Sequence, residues 1–297
     1  MNPDNFTTLG LVGRFGDQAV YEPASALLAH LRSRGLTVLT PDDTEAALDD
    51  AARVPVSRFA RECDLVVAIG GDGTMLHAVR TVAAEGVPLV GVNRGRLGFL
   101  TDISPDAMAA RLDEILAGRY VTDPRHLIEA AIHGTDGPLG EPGLALNEIV
   151  LQKHGTGHML DLTTHVNGTY LNSHGGDGLI IATPTGSTAY ALSCGGPIIQ
   201  PDVDAMVLVP ICPHTLSDRP LVVPGSSQVE CRMHERLDTR AQASCDGELL
   251  GELGPDTVLH IRMSPHRAVL LHPEDHDYYG ILRDKLHWGR DGRRRDS

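Results

Sequence analysis

Along the first 125 residues or so, short apolar runs alternate with stretches whose apolar positions recur every three or four residues. Leu9–Phe15, Thr37–Thr40, Asp64–Ile69 and Pro88–Val92 read as strands. Helices are predicted over Pro23–Arg34, which carries Leu27, Leu28 and Leu31 at helical spacing, and from Met75 through Leu76, Val79 and Val82 to Gly86. A further helix runs from Pro105 to Leu116 and stops at Gly118. Strands alternating with helices predict βαβ units on a parallel sheet. After Asp123-Pro124 the pattern changes. Leu144–Leu151, Asp161–Asn172, Leu179–Thr183, Met206–Ile211 and Gln228–Met233 are strand-like, with one helix-like interruption near Ser187–Ser193. Asn167-Gly168 predicts a hairpin, because a type I′ turn needs two residues that tolerate positive φ. The expected fold class is an α/β N-terminal domain with a parallel sheet over residues 1–124, then a β-rich domain over 125–265.

A chain of 297 residues allows one large or two medium domains. Its 41% apolar and 22% charged residues suit a globular protein with a real core. A formal charge of −14 excludes a nucleic-acid coat or an anionic-membrane binder as the main role, while leaving room for a small anionic substrate in a local pocket. The five cysteines are widely spaced with no Cys-x-x-Cys, so we read them as reduced thiols. With no signal-like N-terminus and no apolar stretch near the roughly 20 residues of a membrane span, a soluble cytoplasmic protein is expected. The basic tail Gly289–Ser297 reads as a frayed, solvated end.

The chemistry concentrates in a few stretches. Gly70-Gly71-Asp72-Gly73-Thr74 lies where a buried strand meets a helix, and that geometry aims backbone N–H groups and the helix dipole at a phosphate. Asp72 is out of place in an anion cradle unless it accepts a proton from an attacking hydroxyl or helps hold a divalent cation; a plain helix cap is the alternative. The loop matches neither the Walker A pattern nor the dinucleotide-binding glycine fingerprint. Asn93–Leu100 follows the next strand, at the same edge of the sheet, and Arg94 and Arg96 there suit phosphate or a solvated glycine turn equally. Asn147-Glu148 interrupts an apolar strand; sugar hydroxyls would satisfy both side chains, and a solvent-facing edge position is the alternative. Asp177 opens a strand ending in the hydroxyl-rich turn Thr183–Thr188, and Tyr190 offers a ring face to a base. His154 and His158 flank glycines and read as loop histidines rather than a metal pair.

Gly70–Thr74, Asn93–Leu100, Asn147-Glu148, Asp177–Tyr190, Ser193–Pro201, Pro213–Leu216 and Ser244-Cys245-Asp246 together closely resemble the bacterial NAD kinases, from about residue 8 to 290 and in the right order. The Gly-Gly-Asp-Gly element is shared with other kinase families; the Thr-Pro-Thr-Gly-Ser-Thr-Ala-Tyr run with the Asn-Glu pair is far more specific. The resemblance implies ATP-dependent phosphorylation of the 2′-hydroxyl of the adenosine ribose of NAD, giving NADP. It makes Asp72 the proton acceptor. It also assigns Asp72 itself, Gly73, His77, Asn147, Glu148, His158, Gly175, Asp177 and the run Thr188, Ala189, Tyr190, Ala191, Leu192 and Ser193 to NAD, with Glu248 as a further contact. Gly70, Gly71, Gly73, Thr74 and Arg94 would meet phosphate. A divalent metal, Mg²⁺, would be held mainly through the ATP phosphates, with no dedicated protein cage. The resemblance further implies that residues 266–297 return to the first domain and that the chain forms a homodimer or homotetramer. Gly175 stands where some relatives carry arginine, a position linked to choosing oxidised over reduced substrate, which leaves acceptance of NADH open. Polyphosphate as donor, regulation by reduced dinucleotides and oligomer size are equally open.

Three rival readings remain. A lipid kinase of the diacylglycerol or sphingosine type would use the same loop with an apolar acceptor slot. A serine hydrolase would place Ser193 on a strand-to-turn elbow with Asp246 and His260. A non-catalytic NAD-binding sensor would bind without turnover.

Overall fold

The computed structural model describes residues 6–44, 46–155, 159–234 and 240–288. The chain divides into two compact units, 1–123 with 268–297, and 124–267. In the first, β1 (Thr8–Gly13), α1 (Gln18–Ser33), β2 (Thr37–Pro41), β3 (Ala52–Val54), α2 (Val56–Glu62), β4 (Leu65–Ile69), α3 (Asp72–Val82), β5 (Leu89–Val92) and α4 (Met108–Leu116) follow one another. The strands form a parallel sheet in the order β5-β4-β1-β2-β3. Parallel strands covered on both faces must be apolar throughout, and every residue of β4 is buried. Leu9, Leu11, Leu65, Val67, Ile69, Val90 and Val92 share one core with Leu27 and Leu31 of α1 and Leu112 and Ile115 of α4. Each such side chain contributes about 1.5–3 kcal/mol when taken out of water.

The second unit holds β6 (Val121–Gly134), β7 (Gly137–Pro138), β8 (Gly143–Ala145), β9 (Glu148–His154), β10 (Leu160–Val166), β11 (Thr169–Gly176), β12 (Gly178–Ala182), α5 (Tyr190–Ser193), β13 (Ala205–Ile211), β14 (Leu221–Pro224), β15 (Gln228–Met233), β16 (Arg240–Cys245), β17 (Glu248–Leu253) and most of β18 (Val258–His272). One antiparallel sheet runs β14-β13-β12-β9-β16-β17, and a second runs β11-β10-β15-β18 with β6 beside β18. Alternation explains the packing. Leu179 and Ile181 of β12 point into the core that the two sheets share with Leu162, Cys231 and Ile261. Ile180 and Ala182, on the other face, pack against Ala191 and Ile199. The middle strands are thus buried on both sides, which is why they read as unbroken apolar runs. β18 carries the chain back to the first unit, where Leu270 pairs in parallel with Leu89 of β5, and α6 (Tyr278–Leu286) follows.

This is the expected α/β domain with a parallel sheet followed by a β-rich domain. Asn167 and Gly168 take φ of 52° and 74°, as the predicted hairpin requires. Local corrections have physical causes. The helix expected from Pro23 starts at Gln18, because Asp17 caps it by accepting from the Ala19 N–H at 3.0 Å. The strand expected over Leu144–Leu151 is broken at Leu146-Asn147, between β8 and β9. β3 and α2 lie between the second and third expected strands. The tail Gly289–Ser297, expected to be frayed, and His158, expected to contact NAD, both lie outside the described residues. No described helix is long and apolar enough to cross a membrane.

Candidate functional site

In the first unit the chain leaves β4 and turns into α3 through Gly70 and Gly71. A Cβ on Gly70 would lie 2.2 Å from Thr74 Oγ1, so only glycine lets the turn close. Gly71 and Gly73 face open space. Gly71 occupies the cap position of α3 with no capping side chain, leaving the first N–H groups of the helix to an outside anion. Asp72 does not cap the helix, contrary to the simpler reading. Its carboxylate turns to the Asn93–Leu100 loop, where the Phe99 and Leu100 N–H groups donate to Oδ2 and Oδ1, each at 3.1 Å. Gly98 makes that approach feasible, since a Cβ there would sit 2.3 Å from Asp72 Oδ1. Two backbone donors fix the carboxylate while each oxygen keeps a lone pair, so the group is an oriented proton acceptor.

Arg94, expected at phosphate, pairs with Asp17 at 2.8 Å. Asn93 is buried and braces the same loop, its Oδ1 accepting from the Gly95 N–H at 2.8 Å. His77 faces Asp43 at 3.5 Å, and both side chains are partly exposed.

In the second unit Asp246 organises the other constellation. Asp246 and Gly247, at φ 48° and 84°, form the tight turn between β16 and β17. The Asp246 carboxylate accepts from three successive backbone N–H groups, Leu146 at 2.7 Å, Asn147 at 2.9 Å and Glu148 at 3.0 Å. This hub bends the chain between β8 and β9 and turns Glu148 inward. β9 is central to its sheet, so the edge-position alternative for Asn147-Glu148 fails. Glu148 is 9% exposed, and its Oε2 is buried with no hydrogen-bond partner among the described residues. Burial first, and the Asp246 charge second, push its carboxyl up to about 8. At neutral pH Glu148 is therefore largely protonated, with its Oε2 left unpartnered among the described residues.

The hydroxyl-rich turn is mostly self-satisfied. Thr183 Oγ1 donates to the Leu146 carbonyl and accepts from the Gly186 N–H. Gly186 packs so tightly that a Cβ would lie 2.1 Å from the Asn147 carbonyl oxygen. Ser187 donates to the Pro184 carbonyl at 2.6 Å and accepts from the Ile199 N–H at 2.9 Å. Thr185 accepts from Arg125 at 3.2 Å. The turn is therefore a rigid clamp on Leu146-Asn147, and the run that follows carries the exposed groups, Tyr190 and Ser193. Ser193 closes the one-turn helix α5 instead of following a strand, which removes the serine-hydrolase reading.

Two family models match the chain, the ATP-NAD kinase N-terminal domain over residues 9–120 and the ATP-NAD kinase C-terminal domain over residues 146–272. The NAD kinase of Halorhodospira halophila is 44% identical over 292 residues, which cover 97% of this chain and 95% of that protein. The chain belongs to the ATP-NAD kinase family. The NAD kinase of Azotobacter vinelandii is 41% identical over 288 residues, covering 96% and 97%. Among solved structures, a yeast NADH kinase complexed with NADH superposes with a TM-score of 0.89 at 24% identity, covering 99% of this chain and 90% of that one, a likeness of fold. An NAD kinase from Archaeoglobus fulgidus in complex with ATP gives 0.72 at 25% identity, covering 94% and 98%.

In this member of the family the residues singled out in the sequence fall into two groups. Gly70, Gly71, Asp72, Gly73 and Thr74 form the α3 turn of the first unit. Asn147 and Glu148 are held by Asp246 in the second. Asp177 pairs with Lys153 at 2.6 Å, Gly175 accepts from the His214 N–H at 2.9 Å through its carbonyl, and Glu248 is exposed on β17. Thr188, Ala189, Tyr190, Leu192 and Ser193 retain accessible surface, whereas Ala191 is fully buried in the packing under α5. Sequence reasoning named the Asn93–Leu100 loop and Asp246 within motifs but not their role as the two hubs that set these positions. The Phe99 and Leu100 donors are backbone atoms and leave no residue-type signal. Asp246 had one, an Asp-Gly pair between two apolar stretches.

Proposed function

We propose that this chain transfers the terminal phosphoryl group of ATP to the 2′-hydroxyl of the adenosine ribose of NAD, giving NADP. The observation that carries the reading is Asp72, a carboxylate beside an open helix N-terminus, held by the Phe99 and Leu100 N–H groups and free to accept a proton. Phosphoryl transfer leaves the protein mainly positioning and charge work. Asp72 takes the proton from, or orients, the attacking hydroxyl, a step worth about 10²–10⁴-fold. The open space at Gly71 and Gly73 and the uncapped start of α3 receive phosphate. Asn147 and the unpartnered Glu148 hold hydroxyls of the dinucleotide, with Gly73, His77, His158, Gly175, Asp177, the run Thr188–Ser193 and Glu248 as further contacts.

Asp72 is the one carboxylate in the run Gly70–Thr74, which fits a divalent cation carried in by nucleotide phosphates. When bound, Mg²⁺ neutralises phosphate charge and offsets repulsion from Asp72. We place the enzyme in the cytoplasm as a homodimer or homotetramer. The Arg94–Asp17 pair makes a phosphate role for Arg94 conditional on that ion pair opening. A lipid acceptor fits poorly with the polar Asn147-Glu148 and hydroxyl-rich segments.

The test is an assay of purified protein with ATP, Mg²⁺ and NAD, read by an NADP-specific dehydrogenase. NADP should accumulate with time and enzyme concentration. Dinucleotide binding without turnover would support the sensor instead.

A further inference from the structure

Away from the loop itself, the first unit buries a chain of ionisable groups that ends on the segment holding Asp72. His272, the last residue of β18, is 2% exposed. Its Nδ1 lies 2.9 Å from Asp102 Oδ2 and its Nε2 lies 3.3 Å from Asp123 Oδ2. His276 adds its Nδ1 at 2.7 Å from the same Asp102 oxygen, and the two imidazole rings stack with centroids 3.9 Å apart. The Nδ1 contact is a hydrogen bond to Asp102, whereas the Nε2 contact with Asp123 is an electrostatic one, Nε2 having no hydrogen-bond partner among the described residues. Burial alone would disfavour the imidazolium cation, and the two carboxylates overcome it, raising the His272 pKa. Asp102 in turn follows the tight turn Gly98–Thr101, closed by the Gly98 N–H donating to the Thr101 carbonyl at 3.0 Å. On its other side the segment is tied to β5, through the Asn93 N–H to the Ile103 carbonyl at 2.8 Å and the Ile103 N–H to the Gly91 carbonyl at 3.2 Å. Gly91 allows the approach, since a Cβ there would sit 2.3 Å from the Leu100 carbonyl oxygen. The Phe99 and Leu100 N–H groups that grip Asp72 lie inside this turn.

We propose that His272 is a positioning residue for the phosphoryl transfer: held between Asp102 and Asp123, it anchors the Gly98–Ile103 turn and thereby fixes the two backbone donors that orient the Asp72 carboxylate. Covalent connection is short, since Asp102 stands two residues from Leu100. An acceptor carboxylate displaced by about 1 Å loses on the order of 10²-fold in rate while leaving substrate contacts made elsewhere untouched. The proposal rests on Asp72 acting as the proton acceptor.

The experiment is a double-mutant cycle on the full chain, with kcat, KM for NAD and NAD affinity measured well below the unfolding temperature. His272→Gln keeps a polar side chain of similar reach but no charge. The expected result is a kcat roughly 10–100-fold lower with NAD affinity within about twofold, the signature of a misplaced group and not a lost binding contact. In an Asp72→Asn background the same substitution should cost nothing further, because the group that it positions is already gone. A structural role would lower stability and add its loss in both backgrounds. Asp123→Asn, which leaves the His272–Asp102 contact in place, serves as the milder variant and should lower kcat in the same direction by less. Wild-type kcat in both folded variants, or additive losses in the cycle, overturns the proposal. Failure of the wild type to make NADP would instead overturn the kinase reading itself.

Discussion

Glu148 gives a prediction whose size can be worked from its surroundings. The side chain is buried, one oxygen has no partner, and the Asp246 carboxylate lies close enough to repel its ionised form. Its folded pKa of about 8 stands well above the 4.5 of a free glutamate. Between those two values the unfolded chain releases the proton and the folded chain keeps it. Stability therefore falls as pH rises through that window and levels off above pH 8. At about 1.4 kcal/mol for each unit of pKa difference, the penalty at alkaline pH is on the order of 5 kcal/mol. Glu148→Gln keeps the shape and has no proton to lose. Its unfolding temperature should match that of the wild type near pH 4 and exceed it increasingly from pH 5 to 8. The eventual gap is roughly 10–20 °C, taking about 2–4 °C per kcal/mol for a unit of this size. Differential scanning calorimetry of both proteins across that range measures the gap directly, since every other group titrates in both. Parallel curves, or a gap that closes with rising pH, would refute the idea that Glu148 is held protonated.

Further outcomes follow from the same contacts. Asp246→Ala leaves three backbone N–H groups without an acceptor, at about 1.5–3 kcal/mol for each charged hydrogen bond, so chemical denaturation should show the second unit losing several kcal/mol. NAD affinity should fall with it, because Asn147-Glu148 lose their support. Gly98→Ala puts a methyl group 2.3 Å from Asp72 Oδ1; steady-state kinetics should show kcat falling about tenfold or more, with the KM for NAD changing far less. Raising pH should remove the stabilisation supplied by His272. Its raised pKa means the contribution is complete below the ordinary imidazole value near 6.5 and is lost as pH climbs through the elevated one. His272→Gln should flatten the corresponding part of the stability–pH curve.

Much of this was legible in the chain itself, and the illegible parts share a cause. β1, β4 and β5 are unbroken apolar runs because a parallel sheet covered on both faces demands it, and the glycine loop after β4 is a local feature with local signals. The Asn167-Gly168 turn is equally local. By contrast, β18 contains Pro265, two arginines and three histidines, and its identity as a strand comes from pairing with β15, not from its own pattern. Short elements such as β3 and α2 carry too few residues to show a period. The same holds for the site. Asp72, Asn147 and Glu148 stood out because a polar residue breaks an apolar or glycine-rich run. The groups that aim them could not be read in that role: two backbone amides, an aspartate noted only as part of a motif at a distant turn, and a histidine 170 positions from its carboxylate partner.

Asp72 contributes to the reaction chiefly through proton transfer, over and above its contact with the dinucleotide. The most direct test is Asp72→Asn, with the rate of NADP formation and the NAD dissociation constant measured on the same preparation. The expected result is a rate at least about 10²-fold lower with the dissociation constant nearly unchanged. An intact rate, or a loss confined to NAD binding, would contradict it.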